Sequence, residues 1–509
     1  MEFNSFTWGL YRHSEEYREI AGSYESLMAD LNAESLDQAL RTIKRYNPVL
    51  QISLDDEHDY AGTIDYIKKL ILPWIDDVNE TESMTPFQLF EHMVDSGAIL
   101  TTVDGHESVI LGPNMIVDAV ADIDMYSIAL ALRFPESFVP YFYFGAYFVV
   151  QEVFDHFGIP LQPVPKRQDY QKRLLHYNSI CAGLKDFGSQ WSFAPADRYA
   201  FLYGFAPHYL PAFFAPDDLP QASRAFFVGV GINSTGDFEY LDAADDSTVF
   251  RWQGNKDSFR GDIVVMYCLS PRSEIHSVWR TVSPGFLDPF FAFYNSVFIG
   301  FPVRVPPLHV SDIRNDDVLK AHPLVRSNMQ GINGRLIESE YYERVCELLI
   351  DRGADRSILP TLIGPAFAHN GTFDNERDVE LHLLEPLLAE IGIDSNRWKR
   401  QVPLRMGRGF RIYPDYLVDA KQVGGDWRAK AVVEAKYRVQ NDSSFRKDIR
   451  QAISYALRVE AECALLVALE GVWAVRRSDG FDPAKAQKWS WSEINSPDGI
   501  AEVRYLLSQ

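Results

Sequence analysis

Apolar residues recur at three- and four-residue spacing through most of the first 215 positions. Two examples are Ser35–Tyr46 (SLDQALRTIKRY) and Phe144–Phe157 (FGAYFVVQEVFDHF). This is the period of an amphipathic α-helix, which turns one apolar stripe toward a core. The pattern predicts a mostly helical N-terminal domain over residues 1–215, with Ser35 as an N-cap. We see no catalytic constellation in this region, and its role is left open.

The pattern changes after residues 209–221, YLPAFFAPDDLPQ, whose three prolines and adjacent acids indicate a linker. Short β-rich runs follow, punctuated by Gly, Asn, Asp and Pro, and a helix near 338–351 ends the region. Strands at this spacing predict a small closed barrel or sandwich over residues 222–350. The predicted strands are Ala225–Val230, Asp262–Leu269, Glu274–Val282 and Val297–Val305.

A third region, residues 355–509, follows a boundary near the Gly- and Pro-rich stretch 353–371. Helical and strand patterns alternate in it, which is the order of an α/β domain with a mixed sheet. We therefore expect a multi-domain α/β protein. The predicted elements of the third region are helices Asn375–Ile391 and Phe445–Glu460 and strands Val402–Met406, Phe410–Asp419, Trp427–Tyr437, Ala464–Leu469 and Gly471–Arg476.

Length and composition fit a globular chain of about three domains. The most apolar window, Phe138–Val150, is short and contains Pro140, so it predicts a buried segment and no membrane span. The N-terminus carries acids and lacks an apolar core, which argues against a signal peptide. The four cysteines are far apart and form no C-x-x-C pair, which argues against a zinc site or a disulfide framework. A cytoplasmic location fits this cysteine usage.

The net charge of -22 argues at first against a nucleic-acid partner. The charge is unevenly distributed, however. Residues 397–458 contain 15 Lys and Arg against 6 Asp and Glu, a surplus of nine positive charges. A basic window in an acidic chain can form a local phosphate-binding surface, although a solvated basic face is the alternative.

The most informative text of the third region is Tyr413-Pro414-Asp415 followed by the run Val432–Lys436 (VVEAK). A turn signal, VGGD, lies between them, so we expect Asp415 and Glu434 on adjacent strands of a hairpin. Side chains alternate faces along a strand, and Glu434 and Lys436 should therefore point to the same face.

Two carboxylates held together in a half-buried site repel each other unless a cation intervenes. Mg²⁺ binds one or two carboxylates together with phosphate oxygens, and Mn²⁺ is a substitute. The sequence thus predicts a metal site formed by Asp415 and Glu434, with the Ala435 carbonyl as a further ligand. Lys436 would orient a water or stabilise charge at the leaving group. These groups together suit hydrolysis of a phosphodiester.

Two flanking helices add polar pairs at four-residue spacing: Glu376 with Glu380, and Gln451 with Tyr455. The helix text NERDVELHLLEPLLAEIGI, the PD…EAK set and the Gln-x-x-x-Tyr pair resemble the PD-(D/E)XK nuclease superfamily. The nearest resemblance is to the nuclease domains of type I restriction motor subunits, and it covers most of residues 355–509.

The resemblance implies a restriction-endonuclease-like α/β/α fold. It also implies that Glu376, or else Glu380, assists the metal site, and that Gln451 and Tyr455 contact DNA and the active site. The chain departs from motor subunits in one respect. It contains no G-x-x-x-x-G-K-[ST] motif, so we expect no ATP-driven motor.

The middle region has the strand-opening text GDIVVMY and many aromatic residues, including Trp252 in the polar segment RWQGNKD. These features resemble the PUA-like superfamily, especially its EVE and YTH-type members. The resemblance implies a β-barrel reader that holds a modified base in an aromatic pocket. An ordinary barrel core is the alternative for several of these rings. The candidate reader residues are Trp252, Tyr267, Trp279, Asn233 and Asn328.

The leading hypothesis is a modification-dependent DNA endonuclease resembling a type IV restriction enzyme, which acts in defence against foreign DNA. Because a double-strand cut needs two active sites, we expect a homodimer. A repair or recombination nuclease acting on structured or damaged DNA is one alternative, and a catalytically silent nucleic-acid-binding protein is another. An RNA substrate also stays open.

Overall fold

The structure of the protein is a computed structural model. It describes residues 3–47, 49–50, 59–77, 84–96, 100–103, 106–109, 113–210, 219–231, 236–291, 293–364, 373–406, 410–423 and 425–508. Most of the predicted linker 209–221 lies outside these ranges.

The chain forms two compact units. The first consists of Met1–Leu219, Val228–Arg260 and Trp279–Pro302, and the second of Pro220–Phe227, Gly261–Val278 and Val303–Gln509. The expected division into three domains, residues 1–215, 222–350 and 355–509, remains a prediction, because these two units do not test it.

The first unit is mainly helical, as the three- and four-residue spacing predicts. It also contains a short ribbon of strands β1 (Leu100–Val103) and β2 (His106–Val109). Its helices are α1 (Ser5–Tyr11), α2 (Glu15–Ala29), α3 (Ala33–Tyr46), α4 (Tyr60–Tyr66), α5 (Leu72–Asp77), α6 (Pro86–Ser96), α7 (Pro113–Ala121), α8 (Ile123–Arg133), α9 (Tyr147–Phe157), α10 (Tyr170–Gln190), α11 (Pro195–Ala200) and α12 (Asp237–Ala243), with π-helical turns at Ile67–Ile71 and Phe201–Phe205 and a 3-10 turn at Ala206–Tyr209.

Helix α3 begins two residues before its predicted start, and the N-cap assignment of Ser35 is wrong. The side chain of Asn32 accepts a hydrogen bond from the Ser35 N–H at 3.0 Å, and the Ser35 Oγ accepts one from the Asn32 N–H at 3.1 Å. This reciprocal pair is a capping box, in which Ser35 occupies the third helical position. Both residue types can cap a helix, and the backbone conformation at Asn32 decides between them.

The window 138–150 is buried, as its composition predicts. Phe138, Tyr143 and Tyr147 are all 0% exposed. The Tyr143 hydroxyl donates to the Leu202 carbonyl oxygen at 2.9 Å, whereas the buried Tyr141 hydroxyl has no partner among the described residues. Within the described ranges, no helix combines the length and the apolar character that a bilayer crossing requires.

The strands of the middle region are β3 (Ala225–Val230), β4 (Val249–Gln253), β5 (Ile263–Cys268), β6 (Glu274–Thr281), β7 (Phe286–Leu287), β8 (Asn295–His309) and β9 (Arg335–Ile337). They form one open sheet, in the order β4-β8-β6-β5-β3-β9 with β7 paired to β8. All four predicted strands are confirmed, although β8 is longer than expected.

The prediction of a closed barrel is wrong for the described part of the chain. The two edge strands, β4 and β9, do not pair with each other, and no sheet there closes. Closure requires a non-local pairing between the first and last strands. Alternation along each strand does not encode that pairing.

The remaining elements belong to the second unit and include the predicted helix at 338–351, which is α15. Its helices are α13 (Val310–Asn315), α14 (Pro323–Arg326), α15 (Ser339–Asp351), α16 (Glu376–Val379), α17 (Glu385–Glu390), α18 (Asp442–Arg458), α19 (Trp491–Ile494) and α20 (Pro497–Ser508). Its further strands are β10 (Trp398–Arg400), β11 (Leu404–Met406), β12 (Phe410–Ile412), β13 (Tyr416–Val418), β14 (Lys421–Val423), β15 (Asp426–Arg428), β16 (Ala431–Ala435), β17 (Cys463–Ala468), β18 (Gly471–Arg476) and β19 (Gln487–Trp489).

A six-stranded mixed sheet, in the order β10-β13-β16-β17-β18-β19, organises the C-terminal region. Strands β16 and β17 are parallel, and helix α18 connects them, because a parallel pair needs a crossover. Alternate residues face opposite helical layers. Val433 and Leu465 pack with α16, α17 and α20, whereas Val432 and Leu466 pack with α18. The sheet is therefore covered by helices on both faces.

Two predicted strands are each divided in the structure. The run 410–419 splits into β12 and β13, and the run 427–437 splits into β15 and β16. Val423 and Asp426, the first and last residues of the turn signal VGGD, pair at the end of a separate ribbon formed by β14 and β15. Strands β13 and β16 still pair directly in antiparallel register, so the expected neighbourhood of Asp415 and Glu434 survives this insertion.

Helix packing on the sheet gives a stability prediction. Leu383 is 0% exposed in the core beneath the sheet, whereas Leu381, two residues earlier in the same helical segment, is 39% exposed. Leu383→Ala should lower the free energy of unfolding by about 2–5 kcal/mol, because it removes buried methyl groups and leaves a cavity. Leu381→Ala should change it by no more than about 0.5 kcal/mol. Urea unfolding followed by tryptophan fluorescence compares the two, and equal losses would contradict this packing.

Candidate metal centre

Asp415 and Glu434 meet at the end of the β13–β16 pair. Tyr416 is opposite Val433 in the register, which puts Asp415 level with Glu434 one step further along. The Ala435 N–H donates a hydrogen bond to Asp415 Oδ2 at 2.9 Å. Both carboxyl groups are buried, at 8% and 2% exposure. The register thus places the two predicted carboxylates side by side, but the group of acids whose oxygen atoms lie within 4.8 Å of one another is Asp415 with Glu376 and Glu380 and does not include Glu434.

Lys436 lies on the same side of the strand as Glu434, as the alternation predicts. Its Nζ atom is 2.9 Å from Glu434 Oε1 and 3.5 Å from Glu376 Oε2. It also donates a hydrogen bond to the Ala435 carbonyl oxygen at 2.7 Å. The Lys436 amine therefore contacts Glu434, Glu376 and the Ala435 carbonyl oxygen, which the sequence predicts as a metal ligand.

The helix before the sheet brings two further acids. One carboxylate oxygen each of Glu376, Glu380 and Asp415 lies within 4.8 Å of the others, and these three acids could hold a metal ion. Glu376 is partly exposed, whereas Glu380 is 4% exposed and pairs with Arg377 and Arg400. Two cations already compensate Glu380, so Glu376 is the better placed of the two to serve an added ion.

The backbone of that helix helps to position these acids. Helix α16 begins with a capping box, in which Asn375 accepts from the Asp378 N–H. The segment Glu380–Leu384 is a π-helical turn between α16 and α17. Single π-turns occur inside α-helices, frequently at functional sites, and they rotate the residues that follow. The predicted continuous helix is therefore interrupted at the residues that face Asp415.

Gln451 and Tyr455 reach the same cluster from helix α18. The Gln451 Nε2 donates to Glu434 Oε1 at 2.5 Å and to the Tyr455 hydroxyl at 3.1 Å. The four-residue spacing of the pair places both side chains on one helix face, as predicted. One oxygen of Glu434 is thus held by an amide and an amine.

Without a cation, negative charge on both Asp415 and Glu434 is unfavourable. Burial raises the pKa of Glu434 to about 7, and repulsion from Asp415 adds to the increase. Burial also raises the pKa of Asp415, more than the Ala435 N–H and Lys436 lower it. The second oxygen of Glu434, Oε2, is buried and has no hydrogen-bond partner among the described residues. A buried carboxylate oxygen without a partner is costly, and an added cation would relieve that cost.

The pKa of Lys436 is also raised, which for an amine favours the charged form. Burial by itself lowers the pKa of an amine, but the attraction of Glu434, Glu376 and Asp415 outweighs it and raises the pKa of Lys436. The amine is therefore charged at neutral pH. In this site it can donate hydrogen bonds and offset negative charge, and it is a poor base.

The sequence did not single out Arg400, which contributes to the site through Glu380. Strand β10 pairs with β13 so that Arg400 is opposite Tyr416, directly beside Asp415. The guanidinium also lies 5.3 Å from the centre of the Tyr416 ring. A basic residue in a short edge strand carries no local signal of this contact. Only the strand order reveals it.

The predicted reader residues are only partly brought together. In the first unit the half-buried Trp252 packs edge-on against Phe250 at 5.1 Å, and Phe250 packs edge-on against Trp279, also at 5.1 Å. Trp279 is 0% exposed. Tyr240, which the sequence did not single out, is 46% exposed and lies 4.7 Å from the Phe250 ring.

The other reader candidates lie in different surroundings. Tyr267 belongs to the second unit, where it is 3% exposed within an apolar core. Asn328 is exposed in a turn and has a positive φ of 59°. Asn233 lies outside the described residues. Of the five candidates, Trp252 combines an aromatic face with partial exposure.

Comparisons with known proteins add little. No family model matches the chain, and no curated protein does. One solved structure is similar in part: the NMR structure of Rpa0253 from Rhodopseudomonas palustris, at 14% identity, with a TM-score of 0.22. The match covers 26% of this chain and 96% of the other. At this identity and score it supports no conclusion about the fold or the function.

The raised pKa of Glu434 predicts proton-linked metal binding. Mg²⁺ must displace the proton that Glu434 carries below about pH 7, so the affinity should rise by up to about tenfold per pH unit between about pH 5 and 7 and level off above that. Isothermal titration with Mg²⁺ across this range measures the profile. Glu434→Gln should bind more weakly and with a flatter profile, whereas the exposed-residue control Asp479→Asn should match the wild type. A pH-independent affinity in the wild type would contradict the raised pKa.

Proposed function

We propose that the chain is a divalent-metal-dependent endonuclease of the PD-(D/E)XK type that its motifs resemble. One observation carries the proposal. Asp415, Glu434 and Lys436 converge on one side of a sheet, and the buried carboxylates there lack a full set of positive partners. A catalytically silent scaffold would gain nothing from keeping this repulsion.

Asp415 and Glu434 would hold the ion, with Glu376 and the Ala435 carbonyl oxygen as further donors. All of these donors are hard oxygen atoms, which suit Mg²⁺, with Mn²⁺ as a substitute. When bound, the ion supplies Lewis acidity and positive charge at the scissile phosphate. The orphaned Oε2 of Glu434 fits this assignment, because a cation satisfies it.

Lys436 and Gln451 would then have separate roles in hydrolysis of the phosphodiester. Water adds to phosphorus, one P–O ester bond breaks, and the departing oxygen gains a proton. The charged Lys436 donates hydrogen bonds toward the phosphate, where negative charge develops. Gln451 is a positioning residue, because its amide fixes the orientation of the Glu434 carboxylate.

Charge near the site favours a nucleic-acid substrate. Helix α18 carries Arg446, Lys447 and Arg450 on its exposed surface, and Gln451 follows directly on the inner face. They belong to the basic window 397–458 of an otherwise acidic chain. A cationic surface beside a phosphodiesterase site would bind the nucleic-acid backbone and position it, without reading its sequence.

The substrate is proposed to be DNA carrying a modified base, recognised as in type IV restriction enzymes, and the active form a homodimer. The aromatic cluster of Tyr240, Phe250 and Trp252 supports a base-binding role, because partly exposed rings can stack on a flipped base. In this proposal the cluster supplies selectivity and the metal centre supplies chemistry. The PUA-like assignment of the surrounding sheet is part of the same proposal.

The catalytic assignment predicts the behaviour of three substitutions. Asp415→Asn, Glu434→Gln and Lys436→Met should each reduce Mg²⁺-dependent DNA cleavage by roughly 100-fold or more, because each removes a group at the reacting phosphate. Cleavage of matched modified and unmodified duplexes and of the corresponding RNA, with Mg²⁺ or with EDTA, measures the activity and its substrate.

Folding controls accompany this series. The exposed-residue controls Asp479→Asn and Lys485→Met should cleave like the wild type. Glu434→Gln should melt no lower than the wild type at about pH 8 without metal, since the ionised carboxylate is disfavoured there. Full activity in any of the three site variants would remove that residue from the mechanism. Equal cleavage of modified and unmodified structured DNA would favour a repair nuclease.

The reader assignment predicts a separate effect on binding. Trp252→Ala should weaken binding to modified DNA by about 1–3 kcal/mol, the range for loss of one base–aromatic stack. Fluorescence anisotropy with EDTA present measures binding without cleavage. Trp191→Ala is the matched control, because Trp191 is 39% exposed in the same unit and lies outside the cluster. Unchanged binding in Trp252→Ala would reassign this ring to packing.

A further inference from the structure

A two-stranded ribbon leads directly into the proposed metal centre. Strands β11 and β12 pair in antiparallel register, and Tyr413 and Pro414 then connect β12 to Asp415. One side of the ribbon packs on the core of the second unit through Leu404, which is 3% exposed, and through the partly buried Ile412. Leu404 and Ile412 are opposite each other in the register, so they mark the inner side of the ribbon.

The outer side of the ribbon is basic. Arg405 and Arg411 are the next opposite pair in the register, and both are exposed. Like charges directly opposite each other on two strands are unfavourable, and an anion between them relieves the repulsion. Arg458 holds the ribbon in place, because its Nε atom donates to the Arg405 carbonyl oxygen at 3.0 Å. Arg411 forms no ion pair within the described part of the chain.

Two exposed aromatic rings lie beside Arg411 in the chain. Phe410 is 65% exposed and Tyr413 is 51% exposed. No other Phe, Tyr or Trp of the second unit is exposed among the residues that the structure describes. Both rings thus come just before Asp415, and neither stacks on another ring or a cation of the described chain. Exposed rings beside cations are the combination that binds unpaired nucleotides.

The short connection to Asp415 sets the reach of this surface. Two residues of extended chain span at most about 7 Å, so the Cα atoms of Tyr413 and Asp415 lie within that distance. A base on the Tyr413 ring therefore belongs to a nucleotide close to the phosphate at the metal centre. Bases inside a duplex are stacked on both faces, so only an unpaired or extruded base can lie on the ring.

We propose that a platform of Arg405, Phe410, Arg411 and Tyr413 binds an unpaired segment of the substrate strand, with Tyr413 stacked on a base next to the scissile phosphate. The two arginines bind backbone phosphates, and the rings bind bases without reading their sequence. This inference rests on the proposed nuclease activity, for which it names the substrate class. The preferred substrate is DNA whose nucleotides are unpaired at the cut.

Binding by the full-length protein in EDTA tests the platform without cleavage. The probes are an oligothymidylate of about 12 nucleotides and an abasic strand of the same length and charge. The wild type should bind the thymidylate at least about tenfold more tightly, because only this probe has bases to stack. Tyr413→Ala should reduce this ratio at least about fivefold and leave the affinity for the abasic strand unchanged. Equal affinities in the wild type, or an unchanged ratio in Tyr413→Ala, would overturn the proposal.

Matched variants separate stacking from charge and from packing. Tyr413→Phe keeps the ring and should keep the wild-type ratio. Ile358→Ala should also keep it, because Ile358 is 53% exposed in the same unit and lies outside the platform. Arg411→Gln should weaken both probes equally and reduce the salt dependence of binding by about 0.7 in log–log slope, as expected for one lost phosphate contact. The exposed-residue control Lys485→Gln should do neither.

Cleavage with Mg²⁺ then separates this proposal from the nuclease assignment. The substrates are one modified duplex, fully paired or with a short unpaired segment. The wild type should cut the second at least about fivefold faster, and Tyr413→Ala should lose most of this preference. Equal rates on both duplexes, with cleavage lost in Asp415→Asn, would overturn the platform alone. Base-dependent binding without cleavage of either duplex would overturn the nuclease.

Discussion

Asp415, directly before β13, and Glu434, in β16, are two buried carboxyl groups that the antiparallel register of these strands places side by side. Each is buried, and burial raises the pKa of both. Their exposure is 8% and 2%, so water screens little of the charge on the pair. The geometry of the site depends on this constraint, because protonation or a cation has to compensate charge that the backbone holds together.

The groups around the pair relieve the repulsion in part. Lys436 and Gln451 both contact Oε1 of Glu434, and Arg377 and Arg400 contact Glu380 behind Asp415. The other oxygen of Glu434 is left without a partner among the residues described. This division is what a metal centre requires. The outer groups fix the orientation of the carboxylates, and the inner oxygen atoms stay available.

The first unit uses buried polar groups in a different way. Some of its buried tyrosines donate to main-chain carbonyls, as Tyr143 and Tyr177 do, whereas the hydroxyls of Tyr24, Tyr141 and Tyr199 are buried without a partner among the described residues. Each buried polar atom without a partner costs free energy, and at Glu434 an added cation would recover that cost.

The sequence by itself determined the features that depend on local periodicity. Three- and four-residue spacing identified helices such as α9 and α18, two-residue alternation placed Glu434 and Lys436 on one side of their strand, and the four-residue step put Gln451 and Tyr455 on one helix face. These features need only the geometry of a single element. That is why they survive the π-turn at Glu380 and the ribbon inserted before β16.

Tertiary structure alone decided what depends on pairing between distant segments. It set the open order of the seven-stranded sheet, the neighbourhood of Arg400 and Glu380, and the burial of Tyr267 in an apolar core. Strand order is a choice between locally equivalent options, so the free energy of the whole packing resolves it and no short pattern records the result.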